Sequence, residues 1–155
     1  MRAAPPLAAA LLIAACATTP NAPPDAAVGR RLAAAAAALV GTPYQFGGAD
    51  AAGFDCSGLT RYVHAQLGFA IPRSAAAQQA GAAAVPLAQI LPGDLLFFRI
   101  AGARIDHVGI YLGAQRFVHA PRAGLPVRVA SLTSAFYVQH LAAAGRFWGA
   151  RGAAP

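Results

Sequence analysis

Two cysteines, four histidines and five aspartates could carry covalent or acid–base chemistry in this chain, and one cysteine stands apart by its setting. Cys56 lies in Asp55-Cys56-Ser57-Gly58, where a glycine-rich loop enters a predicted helix. A thiol at a helix start faces the positive end of the helix dipole and several unpaired N–H groups, which favour thiolate. The same N–H groups could hold the oxyanion that forms when a thiolate attacks a peptide carbonyl. Asp55 works partly against this, since a neighbouring carboxylate disfavours a second negative charge. Its expected job is capping, accepting hydrogen bonds from the first helical turn. Many free cysteines are small buried hydrophobes, and the local context by itself leaves that reading open.

A thiol nucleophile needs a base, and the base needs a group that orients it. His107 and His119 fall on consecutive predicted strands, so the turn between them decides whether they meet. With a two-residue turn, Gly113-Ala114, residue 112 faces 115 and the imidazoles point to opposite sides of the sheet. With a three-residue turn, Gly113 to Gln115, residue 112 faces 116 and they share a face. In that register His119 lies opposite Gly109 and diagonal to His107, within reach of side-chain contact, and Gly109 leaves it room. A histidine is an unusual orienting group, but its neutral nitrogen can accept from the first imidazole. His64, placed near the exposed side of the second helix, and His140, in the last connection, are read as core or surface residues. Cys56, His107 and His119 also have the make-up of a three-ligand zinc site with an open position. They are far apart in sequence and no CxxC or HxxxH pair nucleates such a site, so no metal and no cofactor is expected.

The elements that must position these residues are few. Residues 28–40 are alanine-rich and read as a helix stopped by Gly41; residues 42–53 form a glycine-packed loop with Pro43, Tyr44 and Phe46. A second helix runs from Cys56 to about Leu67, with Leu59, Tyr62, Val63 and Leu67 on one face and Gly68 closing it. Residues 72–86 read as irregular or weakly helical. After Leu91-Pro92-Gly93 the pattern changes to short strands at 94–100, 106–112, 116–120 and 127–130, with another near 142–147. Helices first and an antiparallel sheet after them predict an α+β domain, with no internal repeats.

The amino end reads as an address. A basic start, an apolar stretch from Leu7 to Ala15 and small residues before Cys16 describe a secretory signal, about half the roughly 20 residues a spanning helix needs. Ile13-Ala14-Ala15-Cys16 resembles a bacterial lipobox, which implies acylation of Cys16 and a membrane anchor. Ala17 stands where an aspartate would argue for inner-membrane retention, so an outer-membrane lipoprotein facing the periplasm is expected. The expected organisation is a lipoprotein signal over 1–15, a lipidated cysteine and proline-rich tether over 16–27, and one domain over 28–150. A Cys16–Cys56 disulfide is not expected, because each cysteine has its own context. The charge of +7 and pI near 10.8 favour an anionic partner. The arginines cluster neither in a run nor on one helix, which disfavours nucleic acid and fits a wall polymer or an anionic membrane surface.

Four segments together resemble one family. Gly41-Thr42-Pro43-Tyr44 with Gly47-Gly48 and Gly53-Phe54-Asp55-Cys56-Ser57-Gly58-Leu59 is similar to the signature of the NlpC/P60 family of papain-like cysteine peptidases. Leu91-Pro92-Gly93-Asp94-Leu95-Leu96-Phe97-Phe98 resembles that family's segment leading into the central sheet. His107-Val108-Gly109-Ile110-Tyr111-Leu112-Gly113 and Phe117-Val118-His119-Ala120 resemble the strands that carry its base and orienting residue. The resemblance runs from about Val28 to Phe147 and implies a peptidase acting on peptide stems or crossbridges of peptidoglycan. It implies Cys56 as nucleophile, His107 as general base and acid, and His119 as orienting group. Tyr44 would lie beside the nucleophile, while Asp55, Ser57 and Arg73 would line or support a substrate groove. Lipobox, tether and bare domain look most like the MepS type of outer-membrane murein endopeptidase, working as a monomer on D-alanyl–diaminopimelate crosslinks; other members cut between D-glutamate and diaminopimelate within one stem. The alternatives are a catalytically inactive wall-binding or scaffolding lipoprotein and a thiol acyltransferase of related fold.

Overall fold

The computed structural model describes residues 25–149; the expected signal segment, Cys16 and the tether up to Pro24 lie outside them. Helix α1, Ala26–Ala37, begins two residues ahead of the expected start and ends three residues short of Val40. The loop after it carries a two-residue hairpin, β1 (Ala49–Asp50) with β2 (Gly53–Phe54). Helix α2 follows at Cys56–Gln66, close to the expected bounds. The stretch read as weakly helical holds α3, Ala75–Gly81, and an edge strand β3, Ala83–Val85.

The remaining strands are β4 (Leu95–Phe98), β5 (His107–Gly113), β6 (Arg116–His119), β7 (Arg128–Ser131) and β8 (Leu141–Arg146). A short helix α4, Ala135–His140, leads directly into β8 and was not anticipated from the sequence. The six long-range strands form one antiparallel sheet in the order β3-β8-β4-β5-β6-β7, so the fold is α+β as expected.

Strand β4 is buried on both faces, which explains its unbroken Leu95-Leu96-Phe97-Phe98 run. Leu95 and Phe97, with Val108, Ile110 and Val118, pack against Leu32 of α1 and Leu59 and Val63 of α2. Leu96 and Phe98, with Tyr111 and Phe117, form a second core on the opposite face, covered by Tyr137 of α4. Each such side chain taken fully from water contributes about 1.5–3 kcal/mol. Helix α1 meets the turn before β4 backbone to backbone: a Cβ on Gly29 would strike the Pro92 carbonyl and the Trp148 ring. Just past that turn, Asp94 is fully buried and is held by Arg146 of β8 through two bonds of 2.7 Å.

One expectation fails here. His64 does not lie near an exposed side of α2; it is fully buried between Phe69 and Phe147, with Nδ1 2.8 Å from the Thr60 carbonyl. Leu59 and Val63 point inward as expected, but α2 also meets α3 on another side, and Phe69 and Phe147 close over His64 there.

Candidate active site

Cys56 is the first residue of α2, and the loop before it is built to hold it there. Asp55 caps the helix, its Oδ1 accepting from the Gly58 N–H at 2.7 Å, while Oδ2 accepts from Gly47 at 3.1 Å. Arg73 grips both oxygens of Asp55, at 3.0 and 2.6 Å, and donates to Ser57 Oγ at 2.9 Å. Burial alone would raise the pKa of Asp55, but the Arg73 hydrogen bond and charge and the two backbone N–H groups hold it below the usual carboxylate range. The Gly48 carbonyl accepts the Asp55 N–H, and a Cβ on Gly58 would collide with that carbonyl. The loop therefore closes on the helix start only because position 58 has no side chain.

The thiol differs from the sequence expectation. Burial raises its pKa, and the Asp55 charge adds to that; the N–H groups of Val108, Ser57 and Cys56 itself pull the other way but do not win. Helix-entry geometry is present, yet burial holds the thiol pKa above its ordinary value. The Val108 N–H belongs to the residue after His107, so the start of α2 meets the start of β5. Tyr44 lies beside the pair Cys56 and Asp55: burial first, then the negative charge at each of them, raises its phenol pKa.

His107 and His119 do meet. The His107 Nε2 lies 2.7 Å from His119 Nδ1, with the rings edge to face at 83°. The register that brings them together has Ile110 facing Val118 and Tyr111 facing Phe117, which puts His119 opposite Gly109. The route to it is not a three-residue turn. The turn is Ala114-Gln115, both at positive φ (50° and 57°), as a tight type I′-like connection requires. Parity is restored by one extra residue in β5, where the register shifts between Tyr111 and Gly113. Gly109 is needed for a different reason than expected: a Cβ there would press on the Phe117 ring and the Val118 carbonyl rather than on His119.

Both imidazoles are buried and neutral. Desolvation brings His107 down to about 4 despite the Asp106 charge, and His119 down to about 3, with repulsion from Arg128 and from His107 once that ring is protonated adding to burial. The hydroxyl of Tyr137 on α4 lies 3.3 Å from His119 Nε2, and its ring stands edge-on to the imidazole at 86°. Tyr137 was missed from sequence, since its segment shows neither strand alternation nor a long helical period. Among the described residues, Cys56 makes no hydrogen bond to His107, and no group of three His, Cys, Asp or Glu side chains converges as a metal site.

The chain now has a thiol at a helix start, a histidine pair on the adjoining strands, and the glycine-rich loop between them and Tyr44. The family model for the NlpC/P60 family matches residues 41–146. The chain belongs to the NlpC/P60 family. It is 38% identical over 109 residues to the gamma-D-glutamyl-L-lysine dipeptidyl-peptidase of Bacillus subtilis, covering 69% of this chain and 37% of that protein. It is 38% identical over 112 residues to the murein DD-endopeptidase MepH of Escherichia coli, covering 69% of this chain and 41% of that protein. The chain thus spans less than half the length of either relative. An NlpC/P60 protein from Bacillus cereus superposes with a TM-score of 0.72 at 32% identity, covering 76% of this chain and 39% of that one. The NlpC/P60 match takes in Cys56, both histidines and Tyr137, and leaves α1 outside it.

Proposed function

We propose that this NlpC/P60 domain is a peptidoglycan endopeptidase with Cys56 as nucleophile, His107 as general base and acid, and His119 as the group that orients it. The observation that carries the reading is the 2.7 Å contact between His107 Nε2 and His119 Nδ1 at the strand end where the thiol sits. One proton occupies that contact. With His107 Nε2–H donating, His119 Nδ1 accepts and His119 carries its own proton on Nε2, where Tyr137 Oη accepts it. His107 Nδ1 is then left with its lone pair, free to take the thiol proton.

Burial raises the thiol pKa and lowers that of His107, which favours the neutral pair, so in this mechanism the proton moves as the substrate arrives rather than beforehand. The thiolate adds to the peptide carbonyl, and the N–H groups of Cys56 and Ser57 at the helix start stabilise the oxyanion. Return of the proton from His107 to the leaving amine gives a thioester, which water hydrolyses by the reverse transfers. Asp55, Ser57 and Arg73 support the helix start through one another; Tyr44 closes the other side of the thiol.

The substrate assignment draws on the relatives' names, a gamma-D-glutamyl-L-lysine dipeptidyl-peptidase and a murein DD-endopeptidase, and on the chain's excess of arginine. Cys56→Ala is expected to abolish release of peptide fragments from purified sacculi; equal release by that variant would refute the mechanism. Mass spectrometry of products from crosslinked and uncrosslinked muropeptides identifies the bond. The lipobox-like segment supports an acylated Cys16 and a MepS-type outer-membrane lipoprotein acting as a monomer. Partition into the detergent phase should be lost in Cys16→Ser, and partition that survives the change sinks the anchor.

A further inference from the structure

A cavity of about 640 Å³ opens beside the histidine pair, walled by His107, His119 and Tyr137 and by two arginines, Arg122 and Arg128. Arg128 is the cross-strand partner of His119, so both side chains leave the sheet on one face. Arg122 comes from the loop joining β6 to β7. The salt bridges among the described residues engage Arg73 and Arg146 and give Arg122 and Arg128 no carboxylate. Two unneutralised guanidinium groups at the rim of a cavity suit a carboxylate, which each can bind in bidentate fashion.

The mechanism fixes which part of the substrate enters. His107 must hand its proton to the leaving amine, so the residue that supplies that amine lies against His107 and faces the cavity which His107 walls. In wall peptides that residue is a diamino acid. Its diaminopimelate form carries a carboxylate that lysine lacks, whichever of its two amines is acylated.

We propose that Arg128 and Arg122 form a carboxylate subsite for the leaving residue, so that the enzyme selects diaminopimelate-type over lysine-type peptides. This rests on the endopeptidase reading above. Recognition and chemistry are coupled in it: the charge of Arg128 is among the causes that depress His119, and a bound carboxylate offsets that charge.

The test uses two synthetic peptides identical except for diaminopimelate or lysine on the amine side of the scissile bond. Wild type is expected to favour the diaminopimelate peptide in kcat/KM by about tenfold or more, the scale of a rim-exposed charged contact. Arg128→Gln should bring the ratio towards one, Arg122→Gln should lower it, and Arg128→Glu should invert it, with unchanged thermal melts. A wild type that treats both peptides alike, or an Arg128→Gln that slows both equally, overturns the subsite. Cys56→Ala separates the two ideas. If that variant still cleaves, or wild type cleaves neither peptide, the endopeptidase reading falls, and calorimetric titration of Cys56→Ala with each peptide then judges the subsite: tighter binding of the diaminopimelate peptide supports it, equal affinity rejects it.

Discussion

At the scale of single residues, the thiol and its neighbours are set for proton transfer on demand. Burial outweighs the three N–H groups at Cys56, so its alkylation by iodoacetamide should be slow at pH 7 and climb into the alkaline range. A rate that has already levelled off at pH 6 would instead reveal a preformed thiolate–imidazolium pair. In the proposed arrangement Tyr137 acts one step further back, its Oη accepting a hydrogen bond from His119 Nε2–H and so keeping Nδ1 an acceptor. Tyr137→Phe should lower kcat about tenfold, equivalent to about 1.4 kcal/mol, and leave KM nearly unchanged. A matched change in KM, or no change in kcat, would deny Tyr137 this positioning role. The change is isosteric apart from the hydroxyl, so the edge-on packing of the ring against His119 and Phe117 is kept.

At the scale of elements, the β5–β6 hairpin decides whether there is a histidine pair at all. Deleting Leu112 removes the extra residue but leaves Gly113 facing Arg116 and Tyr111 facing Phe117, so His119 is expected to stay opposite Gly109 on the face of His107. Hydrolysis should therefore stay well above the level of Cys56→Ala, with the sheet signal in circular dichroism kept; a folded but inactive deletion variant would contradict the register argument. This hairpin also shows what sequence could and could not reveal. Period-two alternation and glycine punctuation were enough to place β4 to β8 and to reduce the meeting of His107 and His119 to a choice between two registers. They were not enough to say which, because a bulge and a turn length can trade one residue against each other and leave the same parity. His64 was misplaced for a related reason: a helix has one apolar stripe by sequence, but α3, Phe69 and Phe147 cover a second side of α2 that only the tertiary fold creates. Tyr137 sits on a six-residue helix, too short for any periodic signal, and so entered the site unannounced.

At the scale of the whole molecule, buried neutral histidines tie stability to pH. His64 and His107 are held down to about 4 and His119 to about 3, against an ordinary 6.5 in an unfolded chain. As pH falls below 6.5 the unfolded state takes up protons that the native state refuses, so stability declines from about pH 6.5 to about pH 4. Asp55, held low by Arg73, adds its own loss only below the ordinary carboxylate range. Melting temperature measured from pH 7.5 to 4 should drop steadily through that window; a flat profile to pH 4.5 would mean that the histidines titrate freely. The sheet order carries a consequence of another kind. Strand β8 is the last strand among the described residues, yet it lies inside the sheet, between β3 and β4, where its Arg146 neutralises Asp94. A polypeptide made amino end first presents Cys56 and both histidines long before it can complete this sheet. Closure of the sheet therefore waits for β8, which can take its inner place only after every residue of the site has been made.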